Sequence, residues 1–240
     1  MIIPLEAMIK IKQKIIFLFL IFFSIYCALT IGLAWDEEFL KIQGKTTLNY
    51  LLSLGKIDED LFRREYYSPI YYSIKYLFVQ IFPAKYQIEA SYLINLFFSF
   101  ATLVGIKKLS KKLFNNKVGT IVFLILFSYP IFFGHMAFNS KDTILAFCHV
   151  WIFYFLIEYI KNQHIKEKAN LSINFIAVLC AMGTGINLFF LGSLLPIFLF
   201  ILIDIFYVKK FICKTFDKKK FLINFFKGFV IFYILLVLFW

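Results

Sequence analysis

The sequence predicts an all-α integral membrane protein with about seven transmembrane helices and with interfacial helices in a long first outer loop. Three observations lead there. First, 62% of the 240 residues are hydrophobic and the mean hydropathy is +0.82. Soluble domains are roughly half apolar, and a soluble core of this size has no room for so much apolar surface. Second, the apolar residues fall in unbroken runs of about 16–22, the length that crosses a bilayer as a helix, without the alternation of barrel strands. Third, the charges are segregated. Eighteen of the 26 Lys and Arg lie at the N-terminus and in segments 107–117, 161–168 and 209–227, and five of the 14 acids lie on that same side. The other eight cations lie in 41–85 and at Lys141, with nine acids in 36–89 and at Asp142. One face therefore carries +13 and the other −1, the positive-inside pattern. That pattern accounts for the net charge of +12, so no nucleic-acid partner is expected.

The elements follow in order. Residues 1–14 are expected in the cytoplasm, and 15–240 form the transmembrane domain. Helix one, 15–34, follows Lys10, Lys12 and Lys14 and runs outward as a retained signal anchor, since no small-residue cleavage site precedes Trp35. Residues 35–87 form the outer loop. Within it, 38–54 set Phe39, Ile42, Leu48, Leu51 and Leu52 on roughly one helical face. Segment 66–82 is apolar and tyrosine-rich, with Pro69 suited to a first helical turn. Both are read as helices lying on the outer face. If 66–82 crossed instead, Lys107, Lys108, Lys111 and Lys112 would lie outside, against the charge rule. Further spans are expected at 88–106, 118–136, 142–160, 170–186 and 188–207, with Gly183–Asn187 as a tight outer turn. A last helix starts near Phe225, and the chain reads as the N-terminal part of something longer. The expected location is the inner membrane with a cytoplasmic N-terminus. Cys27, Cys148, Cys180 and Cys213 show no CxxC spacing, which gives neither a zinc site nor a disulfide framework.

Two stretches carry candidate chemistry, both where an apolar run ends on the outer face. One is Trp35-Asp36-Glu37-Glu38; the other runs from Phe133 through Gly134, His135, Asn139 and Lys141 to Asp142. Asn139 suits a helix N-cap, with Asp142 in the first turn. Carboxylates at a membrane boundary are costly if they slip into lipid, so they tend to have partners or work. One can take a proton from an attacking hydroxyl, and a second can tune it, orient the acceptor or help hold a divalent cation. Arg63, Arg64 and Lys141 can hold a phosphate leaving group, with Tyr66 and His135 alongside. These parts suit glycosyl transfer from a lipid-phosphate sugar. Each has a bland counterpart: a solvated helix end for the acids, a cap for His135, headgroup anchors for Arg63 and Arg64, and an interfacial belt for Tyr66–Tyr72. Glu158 and Asp204, near the basic helix ends, are expected to be solvated.

A first helix ending in Asp36-Glu37, a long outer segment entered through Pro69-Ile70-Tyr71-Tyr72, and an outer Asn139-Ser140-Lys141-Asp142 together resemble the GT-C membrane glycosyltransferases. The nearest group looks like the dolichyl-phosphate-mannose–protein mannosyltransferases and the aminoarabinose lipid A transferases, whose second motif often reads Asn-Pro-Lys-Asp. Gly183-Thr184-Gly185-Ile186-Asn187 resembles that family's Gly-rich turn, with Asn187 where a basic residue is usual. The resemblance covers essentially the whole chain as the N-terminal half of a longer protein. It implies an inverting transferase that moves a sugar from a polyprenyl phosphate to an acceptor hydroxyl on protein, lipid or glycan. It makes Asp36 the catalytic base and Asp142 the second essential carboxylate. Glu37, Arg63, Arg64, Tyr66, His135, Asn139 and Lys141 would bind substrate. The donor is the lipid-linked sugar; no metal ligand set is assigned, and a divalent metal stays open. The alternative is a non-catalytic multi-pass membrane protein, a transporter or an assembly subunit, or an inactive fragment.

Overall fold

The computed structural model describes the backbone of residues 5–56 and 69–239, with side chains for 15–56 and 71–237. The protein is all-helical, 82% helix without strands among the described residues. Five helices are long and apolar enough to cross a membrane: Ala84–Leu113, Ser140–Asn162, Lys166–Ile186, Phe190–Val208 and Lys218–Val237. Two shorter apolar helices, Ile15–Thr30 and Asn116–Ser128, accompany them.

Helix α1 (Leu5–Thr30) leads to α2 (Glu37–Leu52), α3 (Pro69–Val79) and the long α4 (Gln87–Leu113), entered through a single turn at Ala84–Tyr86. Then come α5 (Asn116–Ser128), α6 (Pro130–His135), α7 (Ser140–Asn162) and α8 (Lys166–Ile186). The chain closes with α9 (Phe190–Ser193), α10 (Leu195–Ile203), a π turn at Asp204–Val208 and α11 (Lys218–Phe239). Helix α4 is the pivot: it packs on α1, α5 and α7, while α7 packs on α8 and α8 on α11. One core gathers around α7 and α8, with Ile144, Cys148, Ile152 and Ile157 fully buried. A second, with Tyr92, Leu103, Phe123 and Met136, joins α1, α4, α5 and α6.

Alternation of helices sorts the loops to two ends. Stretches 31–36, 80–86, 129–139 and 187–189 fall at one, the acidic end. The turns 114–115 and 163–165, which follow Lys111, Lys112 and Lys161, and the lysine-bearing segment 209–217 fall at the other, where the Gln163 side chain donates to the Asp217 carbonyl and accepts from its amide.

Several elements depart from the sequence reading. Predicted helix 118–136 breaks, because Pro130 has no N–H and forces Tyr129 to an extended ψ of 115°. Predicted helix 188–207 is present as the apolar span Phe190–Val208; Pro196 only interrupts its hydrogen bonding between α9 and α10, since Leu194 keeps helical angles of φ −81° and ψ −11°. The Gly183–Asn187 turn is instead the end of α8, which runs through Ile186. A Cβ on Gly183 would stand 2.4 Å from the Phe190 ring, so glycine serves packing there rather than a turn. Helix α11 starts at Lys218, seven residues earlier than expected. The described part of α3 has 11 residues, about 16 Å, roughly half the thickness of a hydrocarbon core.

Helix α2 is amphipathic with its apolar side outward. Ile42 and Leu52 are exposed, and the buried residues are Glu37, Gly44 and Thr47. Small and polar groups allow close approach to α3, as membrane helices do where lipid offers no hydrophobic drive. Asp204 is not solvated, and Glu158 is only partly so. The Asp204 carboxylate is buried and accepts from the Lys210 and Phe211 amides, closing the loop after the π turn. Glu158 is half-buried, paired with Lys112 and bonded by Asn162.

Candidate functional site

The site is built on one face of α4. Ser91, Asn95 and Ser99 recur every four residues and are buried, forming a polar stripe along that helix. Each side chain binds one of the two motif stretches. Ser91 Oγ donates to Glu37 Oε1. Tyr92, beside it, donates to the Gly32 carbonyl at 2.9 Å and accepts from the Ala34 amide at 2.8 Å. Asn95 Nδ2 donates to the Ala137 carbonyl at 2.7 Å and Ser99 Oγ to the Met136 carbonyl at 2.8 Å. Stretches 32–37 and 136–137 thus dock within about 12 Å along one helix.

Helix α3 supplies the other wall. Lys75 is 6% exposed, and its Nζ lies 3.0 Å from Glu37 Oε1. Burial pushes the Lys75 ammonium below its ordinary value, and Glu37 pulls the other way. Tyr71 donates to Asn95 Oδ1 at 3.3 Å. Burial, with Tyr72 and Glu37 adding, pushes its hydroxyl up, so it stays a proton donor. Glu37 is 4% exposed, and its Oε2 accepts no hydrogen bond among the described residues. Between α2, α3 and the start of α4 lies a cleft of about 530 Å³, lined by Glu37, Glu38, Lys41, Lys45, Lys75 and Ser91 with apolar and aromatic neighbours.

The predicted residues separate. Glu37 forms part of the cleft. Asp36 caps α2 through its backbone, its side chain exposed and making no cap hydrogen bond. Asp142 is exposed in the first turn of α7. Asn139 is the N-cap of α7, as expected: Oδ1 accepts from the Asp142 amide at 3.1 Å, and Nδ2 donates to Asp142 Oδ2 at 2.8 Å. The same amide lies 2.8 Å from His135 Nδ1, so His135, Asn139 and Asp142 form one chain. Since Asn139 Nδ2 is the donor there, His135 Nδ1 accepts, leaving the ring's proton on Nε2. Lys141 is half-buried beside them. Asp36 and Asp142 lie at the same end of the bundle, and neither lines the cleft. Arg63, Arg64 and Tyr66 lie outside the described residues. Among the described residues no three His, Cys, Asp or Glu side chains form a group able to hold a metal ion.

Sequence reasoning missed Lys75, Ser91, Tyr92, Asn95 and Ser99. The Ser91-Asn95-Ser99 spacing was the available signal: polar residues on one face of a transmembrane helix bind something inside the bundle. No family model, no curated protein and no solved structure matches the chain.

Proposed function

We propose that the chain is an inverting membrane glycosyltransferase that moves a sugar from a polyprenyl-phosphate donor to an acceptor hydroxyl at its acidic end. The single observation supporting this reading most is the α4 stripe, which binds the two carboxylate-bearing stretches on one helix face beside a cleft that mixes carboxylate and lysine. In this reading Asp36, exposed at the boundary, takes the proton from the acceptor hydroxyl. The hydroxyl oxygen attacks the anomeric carbon, and the bond from that carbon to the phosphate oxygen breaks. The electron pair leaves with the polyprenyl phosphate, steadied by cations at the same end. Asp142, held by Asn139, orients the acceptor. The two shorter apolar helices complete seven crossings, and the basic end faces the cytoplasm of an inner membrane.

The test uses liposomes with a polyprenyl phosphate carrying a radiolabelled sugar and membrane extract as acceptor. Asp36→Asn and Asp142→Asn are each expected to lower transfer by about 10²–10⁴-fold, the range for loss of a proton-transfer group, while membrane insertion stays intact. Transfer at the unaltered rate by both variants would remove the mechanism.

A further inference from the structure

The Glu37 carboxylate poses a question that the Lys75 pair does not answer. One oxygen is occupied by Lys75 and Ser91, while the other, Oε2, has no donor among the described residues although Glu37 is 4% exposed. Buried carboxylate oxygens rarely go without a donor, because desolvation is then uncompensated. Glu37 is one of the residues lining a cleft of about 530 Å³, roomy enough for a ligand.

The same cleft has a second character along α2. Lys41 and Lys45 line it four and eight residues beyond Glu37, exposed and without an ion pair among the described residues. They stand one and two helical turns from the carboxylate, about 6 and 12 Å along the axis. With Lys75 neutralised by Glu37, and Glu38 also at the cleft, the two lysines leave a positive region at that end. The ligand that complements this arrangement has hydrogen-bond donors at one end and an anion one or two helical turns away. A bare phosphate or a fatty acid leaves Oε2 unsatisfied. A glycosyl phosphate matches both ends.

We infer that the α2–α3–α4 cleft is a glycosyl-phosphate subsite in which a sugar hydroxyl donates to Glu37 Oε2 and the phosphate sits against Lys41 and Lys45. Glu37 is then the specificity-determining residue for the sugar, and Lys75 positions it. This rests on the glycosyltransferase reading for its biological meaning, but its test is binding, not turnover.

The full chain in zwitterionic nanodiscs is titrated with citronellyl phosphate and with the same phosphate carrying a hexose, followed by calorimetry. The sugar should tighten binding by about tenfold or more, as a hydrogen bond to a charged group does. Glu37→Gln should reduce that ratio to about threefold or less. Lys41→Ala with Lys45→Ala should weaken both probes alike. The double variant Glu37→Gln with Lys75→Met keeps the buried pair neutral and similar in shape, so it reports the same loss of discrimination if the single variant does not fold. Equal discrimination by the unaltered protein and the Glu37 variants overturns the proposal, as does bare-phosphate binding that ignores Lys41 and Lys45, or binding of neither probe. Sugar transfer that survives any of those results would leave the transferase reading standing without this subsite. Discrimination at Glu37 with no transfer by the unaltered chain would do the reverse.

Discussion

A buried ion pair is held together by what each charge would suffer alone. Glu37 and Lys75 are both under 10% exposed, so truncating one leaves the other charged and desolvated. Lys75→Met is expected to cost about 3–5 kcal/mol of stability, and adding Glu37→Gln should recover most of it, since a neutral pair of similar volume is close to neutral in energy. Equilibrium unfolding in mixed micelles checks this, and an additive double variant would contradict it. The pH dependence has a definite sign. Burial lowers the Lys75 value in the folded chain below 10.5. The unfolded chain therefore binds more protons between the folded value and 10.5, and stability from this group rises as pH climbs through that window. Melting temperatures of the unaltered protein minus those of Lys75→Met should increase from neutral pH toward 10.5; a flat difference would show that Lys75 is not desolvated. At this scale the sequence was half legible. Acids after an apolar run cannot enter lipid, so the cluster at Asp36–Glu38 announced itself. Which of the three turns inward depends on Lys75 and Ser91, which are 38 and 54 residues away, and no local pattern carries that.

At the scale of elements, the α2–α3 contact frames the cleft, and it depends on the absence of a side chain at position 44. A Cβ on Gly44 would meet the Tyr72 carbonyl oxygen at 2.3 Å, against backbone that cannot swing away. Gly44→Ala is expected to push α2 off α3 at a cost of about 1–3 kcal/mol, read as a lower melting temperature, with faster amine labelling at Lys75 as the wall opens. Unchanged labelling would mean that the helices part elsewhere. On α4, Asn95→Leu removes the donor to Ala137 and the acceptor from Tyr71, leaving buried polar groups unpaired. It should cost about 1–3 kcal/mol and speed amide exchange around 134–140 while sparing 31–36, which hangs on Ser91 and Tyr92. The helices themselves were legible because apolar length is a local property. Their interruptions were less so: Pro130 and Pro196 were visible, but a proline near a helix end can begin a helix as easily as kink one. The π turn at Asp204–Val208 left no trace, because Asp204 reads as an end charge until Lys210 and Phe211 are seen to need acceptors.

For the whole molecule, the charge asymmetry and the fold make one statement together. The fold gathers 36–38, 41–45 and 142 at one end and 107–117, 161–168 and 209–220 at the other. Cationic segments resist translocation, so the basic end should stay in the cytoplasm and the cleft should open on the opposite side. Single reporters decide it. Asn49 and Lys214 are exposed at opposite ends and belong to neither the cleft nor the carboxylate chain. In a background with Cys27, Cys148, Cys180 and Cys213 replaced, Asn49→Cys should react with a membrane-impermeant maleimide in intact cells. Lys214→Cys should react only after the membrane is opened. A lipid-linked donor makes physical sense only on that outward side, where soluble activated sugars do not reach and the polyprenyl chain brings its sugar through the bilayer. The opposite labelling pattern would set the cleft among soluble donors, and the polyprenyl phosphate would lose its reason whatever the geometry of Glu37 and its lysines.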